Sequence, residues 1–145
     1  MSIENWEQHT LLADSAMQEN DHLRSMIHYQ QAFSISESMI EDQRYSLDDR
    51  LIISLSSCHN LANFWRKNHD SDYELKYLQL ASEKILLLIP QCPHKACSSF
   101  VSSLGCCKKA LIDFMKRHPN PVVAEQVKHL DNAAQCELIA TFRLH

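Results

Sequence analysis

Apolar side chains recur at spacings of three and four along most of the chain, the signature of amphipathic helices rather than strands. Ile3, Trp6, Thr10, Ala13 and Met17 fall on one face of a first helix. Met26, Tyr29, Phe33 and Ile40 line a second, with Ser36 in the gap. Leu51, Leu55, Cys58, Ala62 and Trp65 mark a third, and Leu75, Leu78, Ala81, Ile85 and Leu88 a fourth. Phe100, Leu104, Cys107, Leu111 and Phe114 make a fifth stripe; Val123, Val127, Leu130, Ala134, Leu138 and Thr141 make the sixth. The spacing predicts helices over roughly 3–19, 22–41, 47–67, 72–88, 94–117 and 121–143. Their short connections imply antiparallel neighbours. The expected fold class is therefore all-α: six helices in three hairpins, 3–41, 47–88 and 94–143, within one domain of residues 1–145. An irregular six-helix bundle is the alternative arrangement.

Boundary residues agree with this division. Asn20-Asp21 separates the first two stripes and can cap the second helix. Ser46 with Asp49 is a start signal for the third. Ser71 with Glu74 has the spacing of a capping box, which places a helix start near Asp72. Asn120-Pro121 pairs an N-cap with proline at the first helical position. Composition points the same way: one glycine is too few for the tight turns of a β-rich fold, and the four prolines come as two close pairs at 90/93 and 119/121. Gly105 lies inside the fifth stripe, where close approach by a neighbouring helix would account for it.

The segment Asn20-Asp21-His22, Ser25, His28-Tyr29, Ala32-Phe33 and Ile35 resembles the second half of a tetratricopeptide repeat. Leu12, Ala13 and Ala16 stand at that family's first-helix positions. A second unit is similar, with Leu61, Ala62 and Trp65, the turn Asn68-His69-Asp70, then Tyr77, Leu78 and Ala81. Glu74 stands where the family has a small residue. In a third unit only Leu104 and Gly105 match. Equivalent positions such as Ala13 and Ala62 are 49 residues apart, against a family period of about 34, so the helices should be longer than the family's. The resemblance covers residues 6–90 well and implies a right-handed stack of helix pairs that binds protein partners. Small acidic bacterial secretion chaperones resemble the same design.

If the helices stack in that way, the first helix of each pair lines a concave face. That face would carry Glu7, Thr10, Asp14, Met17 and Gln18, then Ser56, His59, Asn63, Arg66 and Lys67, then Ser99, Ser102, Cys106 and Lys109. His59, Asn63 and Lys67 fall at i, i+4 and i+8, and are similar to the polar clamps by which some members of the family hold peptide carboxylates. The residues expected to contact a partner are Asp14, Gln18, His59, Asn63, Arg66, Lys67 and Lys109.

Charge and candidate chemistry narrow the function further. Residues 1–50 carry 10 acidic and 3 basic side chains, while residues 91–130 carry 6 basic and 2 acidic. The C-terminal half could thus orient an acidic partner. The chain as a whole is acidic, at a net charge of −4, and gains little from phosphate neutralisation, which argues against nucleic acid. No apolar run approaches the roughly 20 residues of a membrane span. Glu4 and Glu7 stand where a signal peptide has Lys or Arg. The chain reads as cytoplasmic, with its six cysteines as thiols.

Cys92, His94 and Cys97 form a possible zinc loop, lacking an obvious fourth ligand. Cys107 reads as a small core residue and Cys106 as partly exposed, with Lys108 and Lys109 a weak source of thiol activation. The nine histidines show no catalytic pattern in sequence, and phosphate loops and nucleophile elbows are missing. The expected function is a non-enzymatic, cofactor-free interaction module holding a peptide or helix of another protein. The alternatives are a metal-binding or redox-sensitive regulator built on Cys92, His94 and Cys97, and a self-associating structural protein, with a homodimer as its simplest form.

Overall fold

The computed structural model describes residues 2–91 and 97–133, with the side chain of Cys97 outside that set. Among the described residues the chain forms six α-helices and no strand: α1 Ile3–Gln18, α2 His22–Met39, α3 Leu47–Lys67, α4 Ser71–Leu88, α5 Cys97–Arg117 and α6 Pro121–Ala133. A 3₁₀ turn, Ile89–Gln91, follows α4. The expected start of the fifth helix at 94 and end of the sixth at 143 lie outside the described residues.

Five of the six starts, those of α1 to α4 and α6, are fixed by a side chain that accepts a hydrogen bond from an otherwise unsatisfied backbone N–H. Ser2 accepts from Asn5, Asp21 from Arg24, Ser46 from Asp49 and Asp70 from Tyr73. The Asn120 side chain accepts from the Val122 N–H at 2.9 Å. The fourth helix thus begins at Ser71, capped by Asp70, and not near Asp72 with Ser71 as its cap. Glu74 is unavailable to close a capping box because its carboxylate is engaged on α5.

The first two hairpins turn in the same way. The Asp21 N–H bonds the Ala16 carbonyl and the Asn20 N–H bonds that of Met17. Forty-nine residues on, the Asp70 N–H bonds Trp65 and the His69 N–H bonds Arg66. Asn20 and His69 take left-handed φ angles of 60° and 61°. This is the Schellman arrangement, in which a left-handed residue lets the chain reverse while satisfying the last helical carbonyls. Asp21 and Asp70 then serve at once as the end of one helix and the cap of the next.

Small residues set the approach of α1 and α2. Ala13 and Ser25 are fully buried and Ala32 nearly so, and Ser25 Oγ donates to the Ala13 carbonyl at 3.1 Å. The core is continuous from α1 to α6, with Leu51, Leu61, Ile85, Leu88, Phe100 and Leu111 among its fully buried members. A smaller cluster joins Ile35, Met39 and Ile53, against which Trp6 packs while donating its indole N–H to Ser57 at 2.8 Å.

Charged residues enter this interior with partners. Arg50 is buried and donates to the carbonyls of Ile40 and Tyr45 and to Gln91, tying the end of α2 to the start of α3. Lys84 is buried, pairs with Glu37 across α2 and α4, and lies over the Phe33 ring. The expectation for Gly105 is overturned: it is exposed, and a Cβ there would meet nothing within 4 Å. Among the described residues no neighbouring helix approaches it, and there the glycine weakens α5 without a packing return.

Candidate functional site

Three adjoining recesses run between α3 and α5, floored in part by α4. One, of about 300 Å³, is lined by Ile52, Leu55, Ser56, His59, Ser102 and Cys106, among others. The next, of about 160 Å³, shares His59 with it and adds Asn63, Arg66, Ala110 and Asp113. The third, of about 450 Å³, shares Arg66, Glu74 and Arg117 with the second and opens toward His69 and His118. The shared residues make these one groove. Along α3 it runs from Ile52 to Arg66, about 21 Å at the helical rise of 1.5 Å per residue.

The wide end is organised by an ion pair. Glu74 is 4% exposed and receives both ends of the Arg117 guanidinium, at 2.6 and 3.1 Å. This two-point geometry is the strongest that a carboxylate and a guanidinium make. The carboxylate holds the Arg117 charge firmly, raising its pKa. Arg117 also lies over the Phe114 ring. Arg66 stands beside this pair, exposed on the last turn of α3.

Midway along the groove His59 is half-buried, with Nε2 3.9 Å from the Cys107 sulfur. Burial lowers the imidazole pKa. Burial, with a smaller effect of Cys106, pushes the Cys107 thiol up to about 12. The two groups therefore face each other neutral, the opposite of the thiolate–imidazolium state of a nucleophilic cysteine. Cys58, also buried, is likewise pushed up to about 12, chiefly by desolvation.

The lowered His59 pKa has a measurable consequence. The unfolded chain binds a proton near pH 6.5 that the folded chain refuses, so His59 is neutral in both states well above pH 6.5 and opposes folding progressively below it. Urea unfolding at pH 7.5 and 5.5 should show wild type losing more stability on acidification than His59→Gln. Equal losses would contradict the burial of the imidazole.

Of the residues expected at a partner surface, His59, Asn63 and Arg66 line the groove. Ser56, Ser102 and Cys106 also line it. Lys67 and Lys109 do not, being one residue, about 100° of helix, away from the lining positions Arg66 and Ala110. Asp14 and Gln18 lie on α1 outside the groove, and the Asp14 carboxylate accepts the Tyr29 hydroxyl. That bond, after burial, holds the Tyr29 pKa above its ordinary value. Cys92, His94 and the Cys97 side chain lie outside the described residues. Among the described residues no group of three or more His, Cys, Asp or Glu side chains is placed to hold a metal. No helix there is long and apolar enough to cross a membrane.

Sequence reasoning missed Glu74–Arg117. Its one visible trace was the acidic residue at a position where the repeat pattern has a small one.

Residues 4–145 match a family described as protein of unknown function, DUF2753. The chain belongs to that family. A relative, the uncharacterised protein VP2110 of Vibrio parahaemolyticus serotype O3:K6, is 62% identical over 143 residues, spanning 99% of each chain. No solved structure matches the chain.

Proposed function

We propose that this protein is a non-enzymatic interaction module, adaptor or chaperone-like, that holds a peptide or helix of a partner protein in the α3/α5 groove. The observation that carries the reading is the groove's shape and lining. It is about 21 Å long along α3, open along its length, and mixes apolar floor residues such as Leu55 and Leu78 with His59, Asn63, Arg66 and Asp113. A small-molecule site is instead enclosed and mostly apolar. The neutral His59–Cys107 pair supports a binding rather than a catalytic use of the same surface.

The same reading takes the helix pairs as a tetratricopeptide-like stack. Its support is the repetition of cap, left-handed residue and turn hydrogen bonds at Asn20-Asp21 and His69-Asp70. It takes the cytoplasm as the site of action, with free thiols at Cys58, Cys106 and Cys107 in keeping with a reducing compartment.

The test is the double variant Asn63→Ala, Arg66→Glu. Both side chains are exposed in the groove, so the circular-dichroism spectrum and melting temperature should hold while capture of the natural partner falls at least tenfold. Undiminished capture by the folded variant would reject the groove.

A further inference from the structure

The first hairpin brings together two histidines that the groove does not use. His9 is one turn before Ala13 on α1, and His28 is one turn after Ser25 on α2. The Ala13–Ser25 contact draws the helices close, so the longer side chains on the next turn meet. Their Nδ1 atoms are 3.1 Å apart, and the rings stack at 28° with centroids 5.3 Å apart. Both are half-buried. The corresponding position of the second hairpin holds Cys58 and Tyr77 instead, so the pair belongs to α1 and α2 alone.

We propose that His9 and His28 form a two-histidine site for a borderline divalent transition-metal ion such as Zn²⁺, bridging α1 and α2. Neutral imidazole nitrogen suits this class of ion. With metal–nitrogen bonds of about 2.05 Å, two nitrogens 3.1 Å apart subtend about 100° at the metal, between the octahedral and tetrahedral angles. The χ2 torsion is broad, which leaves each ring free to turn its Nδ1 toward a shared ion. In the metal-free chain the same nitrogens can share one proton as an N–H···N bond, and on metal binding that proton moves to Nε2 of the same ring, so the ion replaces a hydrogen bond rather than a packed contact. No further His, Cys, Asp or Glu among the described residues completes the set. Water fills the other positions, which gives an open, exchangeable site rather than a closed structural one. The ion would tie the two helices together and stabilise the hairpin by mass action.

The experiment is a Zn²⁺ titration of the full chain followed by long-range ¹H–¹⁵N correlation of the histidine rings, which separates Nδ1 from Nε2 ligation. The His9 and His28 Nδ1 signals should move together to one saturation point, and the melting temperature should rise. In His28→Gln, and separately in His9→Gln, the partner ring should respond at least tenfold more weakly and the rise in melting temperature should vanish. His22→Gln, an exposed histidine on α2, should leave both effects intact. Static His9 and His28 signals while other residues shift, or an equal response in His28→Gln, would overturn the site.

Discussion

Replacing Arg117 with alanine should destabilise the fold by about 3 kcal/mol, the lower end for breaking a buried ion pair. The reason lies in what remains. Glu74 is 4% exposed, and without the guanidinium its carboxylate stays buried and loses the one cation bonded to it, Arg66 lining the same recess without a bond to Glu74 among the described residues. Water at the groove mouth moderates the loss, since the Arg117 side chain itself is 30% exposed. The same partial exposure makes the effect lopsided. Glu74→Ala frees an arginine that can turn toward solvent, so it should cost less than Arg117→Ala. Replacing both by leucine should recover much of the loss, because two well-packed apolar side chains often match a buried pair. Urea unfolding of the four proteins tests the set. Equal costs for the two alanine variants would show that the carboxylate is not the stranded charge.

Ala32→Asp should be more damaging, at about 4 kcal/mol or beyond, in the range reserved for a buried unpaired charge. Ala32 is 2% exposed in α2 and stands where the repeat pattern demands a small residue. Aspartate there brings both bulk and an ion into the interior. Its exposed neighbour provides the control: Gln31→Asp should change stability by no more than about 0.5 kcal/mol. Thermal and urea unfolding should separate the two variants clearly. Similar melting temperatures for both would mean that the register of α2 is wrong.

The parts of this structure that the sequence disclosed are local in origin. Apolar spacing and cap chemistry each act within a few residues, so the helices at 47–67 and 121 onward could be placed from Ser46, Asn120 and the stripes between them. The misplaced cap at Ser71 shows the limit of local pattern. Capping-box spacing was present, but the Glu74 side chain had a better partner 43 residues away. His9 with His28, Lys84 with Glu37, and Arg50 with Gln91 were invisible for the same reason. Each needs the register between helices, which hydrophobic periodicity does not report. Of the groove, Asn63 and Arg66 were legible as outward-facing positions of a first helix. Lys67 was placed with them by its i+4 spacing from Asn63, yet α5 packs so that the lining passes through Arg66 instead.

Site-specific photo-crosslinking in living cells addresses the central claim most directly, by placing the crosslinker at position 63 in the groove and at position 83 on the exposed face of α4. Binding in the groove should give a discrete adduct with a partner protein from position 63 and none from position 83. An adduct from 83 with none from 63 would contradict it.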